Sequence, residues 1–451
     1  MPDANPVSAR EVARLTIPQL GLMFCHMVMS MTDLWVAGQL DEGVLAALGF
    51  IAQIYSLLML LTAIVGSGCM AMVSQSLGAG KFLRARRYSG LIVCLSFSAG
   101  SLVALLAAGI LAVLPLEQMV PAHLVPVART FGLAYAAQVP FFYSLIMLNS
   151  VFRAHKLVWL PTTTLCFVAG INFIGSAGLG LGWWGLPRLG YEAVAWTTFG
   201  ASVAGFLCNA ALGVRTGILR SSSFAAWRWN RLAMPRLWRV GAPAMVGNVA
   251  AHMGSLALLA CVSSLPHGAV DAVAGMTLGM RVMGFVLFPV AGLGMTITIL
   301  GGHLIGAGLG RAGYALGLRY GLRVALALAV AGGLLCLLRQ PVTLAFTADS
   351  GAVNMAELYL VFSCLVLPLQ GMGQMLNSIL AGAGATRFTC RISCISTWGI
   401  SVPVAYALGH WTRLGAAGIF AGMACGSAAA ALWTLRVYMR KKWLGSTKAV
   451  W

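Results

Sequence analysis

Acid is what this chain has least of: ten Asp and Glu stand against 29 Lys and Arg in 451 residues. Charge of either sign makes up only 9% of the chain, and 60% of the residues are hydrophobic. The long apolar runs lack the alternation of a barrel strand, which excludes a transmembrane β-barrel. Eleven cysteines stand singly, the closest pair being Cys390 and Cys394, one helical turn apart, so neither a metal cluster nor a disulfide framework is indicated. No Ser/His/Asp set, phosphate loop or metal-ligand cluster supports an enzyme. The N-terminal residues MPDANPVSAREVARL lack the charged, apolar and cleavage-site layout of a signal peptide, so the first span is expected to stay in the mature protein.

What is present is a series of apolar stretches of the ~20 residues that a membrane-spanning helix requires. Twelve are expected, with cores at 14–39, 45–75, 88–114, 128–152, 158–182, 191–214, 237–264, 272–304, 314–338, 354–381, 388–410 and 416–438. The fold class is therefore an all-α polytopic membrane protein. The net charge of +19 sits mainly in every second gap between spans, as in the group Lys81, Arg84, Arg86 and Arg87. The other gaps carry Asp41, Glu42, Glu117, Asp271 and Asp349. That asymmetry orients the protein with both termini in the cytoplasm and argues against nucleic acid as a partner.

The longest polar stretch, Arg215 to Arg239, interleaves Trp227, Trp229 and Trp238 with arginines, the pattern of a segment lying at the headgroups. It divides an internal repeat. Pro18 pairs with Pro243, Gly78–Gly80 with Gly306–Gly308, Pro140 with Pro368, Met147–Ser150 with Met375–Ser378, and Arg188–Gly190 with Arg413–Gly415, all at offsets between 225 and 228 residues. Each copy has six spans, so both run in the same orientation. The expected domains are an N-terminal lobe 1–214, a linker 215–236, a C-terminal lobe 237–440 and a tail 441–451. A central cleft between two six-helix lobes is the architecture of alternating access. Nothing supplies the charged or carbonyl rings of a channel filter.

Asp33 is the one carboxylate well inside a predicted span. Placing it there costs about 2.5–3.5 kcal/mol on the lenient insertion scale, which marks it as an ion or substrate site. Its neighbourhood carries a family signature. The run MTDLWVAGQL, then ALGF, then GSGCMAMVSQSLGAG, resembles the first two spans of the multidrug and toxic compound extrusion (MATE) family, with an acid before a Val-Ala-Gly stretch and Gln75 shortly before Gly-Ala-Gly. The likeness extends through NSILAGAGATR at the end of span 10.

The resemblance implies an antiporter, not an enzyme, that exports organic cations or other amphipathic compounds in exchange for H⁺ or Na⁺. It implies the N-lobe-coupled (DinF-like) branch, in which an Asp lies fifteen positions after a bending proline, the spacing of Pro18 and Asp33. Asn172 and Thr198 match the branch's Asn in span 5 and Thr in span 6, while its second Asp is Ser176 here. The acids of another branch fall at Ala251, beside His252, and near Gln370, so a C-lobe ion site is expected to be absent.

His26, Asn149, Gln75 and Arg281 are accessory polar candidates, Arg281 as a buried charge. His252 and His303 read as core residues, and Met and Phe are plentiful enough to line an adaptable pocket. No cofactor or structural metal is expected beyond the coupling ion. The expected partners are a small cationic or amphipathic substrate and membrane lipids, for a monomer in a bacterial inner membrane. A flippase of lipid-linked oligosaccharide is the alternative, and it would need a cleft rich in cations.

Overall fold

Every backbone N–H in hydrocarbon must find a partner within the protein, and helices supply it within their own segment, without edges. The computed structural model describes residues 7–59, 62–113, 121–224, 227–347 and 349–446, and among these there is no strand. Glu117 lies outside the described residues.

The first half consists of α1 (Ala9–Leu40), α2 (Glu42–Met59), α3 (Thr62–Gly78), α4 (Phe82–Val113), α5 (Val125–Ala154), α6 (Trp159–Leu181) and α7 (Tyr191–Arg215). The second has α8 (Trp227–Ser263), α9 (Ala269–Gly306), α10 (Gly310–Leu337), α11 (Arg339–Leu344), α12 (Ser350–Gly382), α13 (Thr386–Cys394), a π-helical stretch Ile395–Ser401 continuing into α14 (Val402–His410), α15 (Ala416–Met439) and α16 (Lys442–Ser446). Eleven helices among the described residues are long and apolar enough to cross a membrane. The expected second span appears as α2 and α3, on either side of residues outside the description. The chain is an all-α polytopic membrane protein.

Several helices begin before the expected apolar cores. The clearest case is α8, which starts at Trp227 and takes in the end of the expected linker. Arg, Leu, Ala and Met all favour helix, so the backbone stays helical where the side chains have already become interfacial. Trp229 packs edge-on against Tyr88 at 5.1 Å, and the Arg87 guanidinium lies over its ring at 6.0 Å. Ser223, just before α8, is fully buried.

The chain divides into two compact units, Ile17–Gly241 and Met1–Thr16 with Ala242–Trp451. Both divisions fall just before a repeat-related proline, Pro18 or Pro243. Within the first unit, α5 is buried over most of its length and packs against α3, α4 and α7. Gly100 of α4 allows the closest approach: a Cβ there would stand 2.8 Å from the Cα of Pro140. Within the second unit, α12 takes the corresponding place against α9, α10 and α15. A stripe of Gly418, Gly422 and Gly426 on α15 lies against the backbone of Leu408, Ala405 and Ser401, the small-residue packing common between membrane helices.

Candidate functional site

Three helices of the first unit build the site. α1 runs unbroken through Pro18, whose carbonyl accepts from Thr162 Oγ1 of α6 at 2.8 Å. Farther along the same two helices, Cys25 Sγ meets Cys166 Sγ at 3.1 Å, and then Asp33 meets Asn172. α6 thus follows α1 from the proline to the carboxylate, and α7 brings Thr198 to the same point.

Asp33 is buried, at 6% exposure, in a layer of Val36, Ala37, Ala177, Val194 and Ala195. Asn172 Nδ2 donates to its Oδ1 at 3.1 Å, and Ser176 Oγ reaches the same oxygen at 3.4 Å. Thr198 Oγ1 lies 3.1 Å from Oδ2. Asn172 also donates to Thr198 Oγ1 at 3.1 Å, and that hydroxyl is 2.9 Å from the carbonyl of Val194. The structure brings together Asp33, Asn172 and Thr198, and adds Ser176 as a donor where a second acid was the family's pattern.

The geometry accommodates two proton arrangements without moving a heavy atom. With Asp33 ionised, Thr198 donates to Oδ2. With Asp33 protonated, the acid O–H donates to Thr198 Oγ1, and Thr198 turns its own proton to the Val194 carbonyl. Asn172 serves both, because its two N–H groups point to different acceptors. Among the described residues, every hydrogen-bond partner of the carboxylate is a neutral donor.

The accessory candidates lie elsewhere. His26 shares the helix face of Asp33, but seven residues place it about 10 Å away along the axis, and its ring meets the edge of Phe142 at 6.0 Å. Asn149 accepts from Asn209 Nδ2 at 2.6 Å, tying α5 to α7. Gln75 is buried in α3. Arg281 is exposed, which corrects the expectation of a buried charge: the packed face of α9 is carried by Gly275, Gly279, Val282 and Met283. His252 and His303 are half-buried, and Ala251 is exposed.

The repeat makes the site one-sided. The positions corresponding to Asp33, Asn172 and Thr198 in the second lobe are Leu258, Thr397 and Met423. Sequence reading missed Asn209 and the donor role of Ser176; a buried amide in a span is the signal that would have pointed to Asn209.

Comparison with known proteins follows this architecture. The MatE family model matches the chain twice, over residues 18–177 and 243–407, and each match begins at one of the paired prolines. The probable multidrug resistance protein YoeA of Bacillus subtilis is 23% identical over 431 residues, covering 93% of this chain and 91% of that protein. The probable multidrug resistance protein NorM of Bradyrhizobium diazoefficiens is 28% identical over 448 residues, covering 92% and 90%. In fold, the chain resembles the MATE transporter VcmN of Vibrio cholerae in the bent form, with a TM-score of 0.86 and 21% identity over 98% of both chains. With both halves matched and the repeat intact, the chain belongs to the MatE (multidrug and toxic compound extrusion) family, whose members are transporters rather than enzymes.

Proposed function

We propose that the protein is an N-lobe-coupled exporter of organic cations or other amphipathic compounds, driven by exchange for H⁺ through alternating access. The observation that carries this reading is the buried Asp33 held by Asn172, Ser176 and Thr198, neutral groups whose hydrogen bonds suit both protonation states. The relatives are named for multidrug resistance, which supports drugs as the substrate class over a lipid-linked oligosaccharide. H⁺ is preferred to Na⁺ because the three groups that reach the carboxylate do so with an N–H and two O–H donors.

In this scheme a proton arriving from outside neutralises Asp33 and releases a cationic substrate, and its loss to the cytoplasm restores the charge. One carboxylate handling one H⁺ makes the export of a monovalent cation electroneutral. The membrane potential, about 2.3 kcal/mol per charge per 100 mV, then contributes nothing. A pH difference of one unit, about 1.4 kcal/mol, supports a tenfold substrate gradient.

The test is transport of a monovalent organic cation in proteoliposomes with pH, sodium and electrical gradients imposed separately. Export is expected to collapse when the pH difference is dissipated and to survive loss of the potential. Asp33→Asn is expected to reach the membrane and lose coupled transport. Export that follows the potential with the pH difference clamped at zero overturns the single-carboxylate scheme, and export driven by sodium alone overturns the choice of ion.

A further inference from the structure

The register of the repeat can be followed through α5 and α12 from Pro140 and Pro368, and through α7 and α15 from Gly190 and Gly415. In the first lobe these helices carry Phe142, Leu145, Ile146, Arg153, Phe206 and Asn209. The second lobe has Gln370, Gly373, Gln374, Ala381, Ala431 and Thr434 at the matching places. Leu145, Arg153 and Phe206 give way to Gly or Ala, Asn209 to Thr, and Phe142 and Ile146 to carboxamides.

The consequence is a cavity of about 440 Å³ within the second lobe, lined by those six residues together with Thr298, Asn377 and Ser427 among others. In the first lobe Asn209 Nδ2 donates to Asn149 Oδ1, while Asn209 Oδ1 stays without a partner. Their counterparts make no such bond: the Thr434 hydroxyl turns to the Ala430 carbonyl at 2.8 Å, and Asn377 Oδ1 is buried without a partner. The carboxamides of Gln370 and Gln374 and the hydroxyl of Ser427 also make no hydrogen bond with the described residues. No charged side chain lines the space. A second recess, of about 250 Å³, shares Gln370 and Ser427 and adds Met280, Met283, Phe420 and Met423.

We propose that these two compartments form a binding site for an uncharged amphipathic molecule, its hydrogen-bonding end among the amides and its apolar end among the methionines. An organic ion would enter a cavity whose described lining offers no countercharge, at a large desolvation cost. A purely apolar molecule would leave the amides unpaired, at the desolvation cost of each one it covers. Methionine adapts to varied apolar shapes, so the recess sets chemistry rather than one structure. The site involves none of the residues around Asp33 and stands independently of the coupling scheme.

The probe is chloramphenicol, which is uncharged and carries hydroxyls, an amide and an apolar aryl end, measured by equilibrium dialysis against the full-length protein in lipid nanodiscs. Saturable binding is expected, weakened at least about tenfold by Gln370→Phe combined with Gln374→Ile, and about threefold by Ser427→Ala, in line with the loss of individual hydrogen bonds. The double variant installs the first lobe's own residues; if it is not recovered folded, Ser427→Ala decides. Absence of saturable binding, or equal affinity in the folded variants, overturns the proposal. Displacement of the probe by sodium chloride but not by potassium chloride also overturns it, and makes the cavity a cation site.

Discussion

Thr198 Oγ1 stands 3.1 Å from Asp33 Oδ2 and, among the described residues, is the one hydroxyl that reaches this oxygen. It accepts from Asn172 while choosing between the carboxylate and the Val194 carbonyl for its own proton. Thr198→Val keeps the shape and removes that choice, so coupled transport is expected to fall at least about tenfold, the loss of one charge-assisted hydrogen bond. Thr198→Ser should retain most of it. The readout is initial rate in proteoliposomes at fixed pH difference, with protein level in the membrane as control; equal loss in both variants would indicate packing instead.

Pro18 leaves α1 without one i→i−4 hydrogen bond, yet the helix is unbroken there and Thr162 bonds the proline's carbonyl. Such a point can bend with few bonds to break. Pro18→Ala is expected to insert and fold with unchanged or higher thermal stability while transport drops. Full transport by the variant would show the proline to be merely tolerated.

Gly100→Ala drives a methyl into the backbone of Pro140 and is expected to destabilise the first unit by about 1–3 kcal/mol, the usual cost of overpacking. Gly109, on the same helix, has open space where its Cβ would lie. Gly109→Ala should therefore leave the melting temperature of the detergent-solubilised protein unchanged or raised, and Gly100→Ala should lower it.

Single cysteines at Lys81 and Ser221, both exposed, are expected to resist an impermeant thiol reagent added outside intact cells in a cysteine-free background. A cysteine at Val270, which is 82% exposed, should label. The opposite pattern would invert the orientation drawn from the charges.

Composition made the spans legible, because hydropathy records where the chain enters hydrocarbon. It could not place the start of α8, since a helix need not end where its side chains become polar, and Trp227–Arg239 is helical on its way out of the apolar region. Asp33 stood out as a lone acid, and Asn172 and Thr198 followed from their places in a familiar pattern. Asn209 did not: its bond to Asn149 joins residues 60 apart in sequence, and one chain carries no record of which amide finds which. Arg281 misled for a related reason. Its position in a span is a property of the sequence, but its exposed face depends on neighbours that sequence does not identify.

The first turns of α1, up to Thr16, make their contacts with the second half, where Thr16 Oγ1 bonds Thr296 Oγ1 at 3.0 Å. The opening of α8, up to Gly241, belongs in turn to the first half. The two copies of the ancestral duplication have thus traded their leading segments and are no longer separable modules. A gene cut inside the linker yields fragments that each lack a strip of their own packing, and neither is expected to accumulate when expressed alone. Co-expressed, the fragments should rescue one another by complementation, and a chimera that exchanges one half for a relative's would have to be joined at Thr16 and Gly241 rather than at the linker.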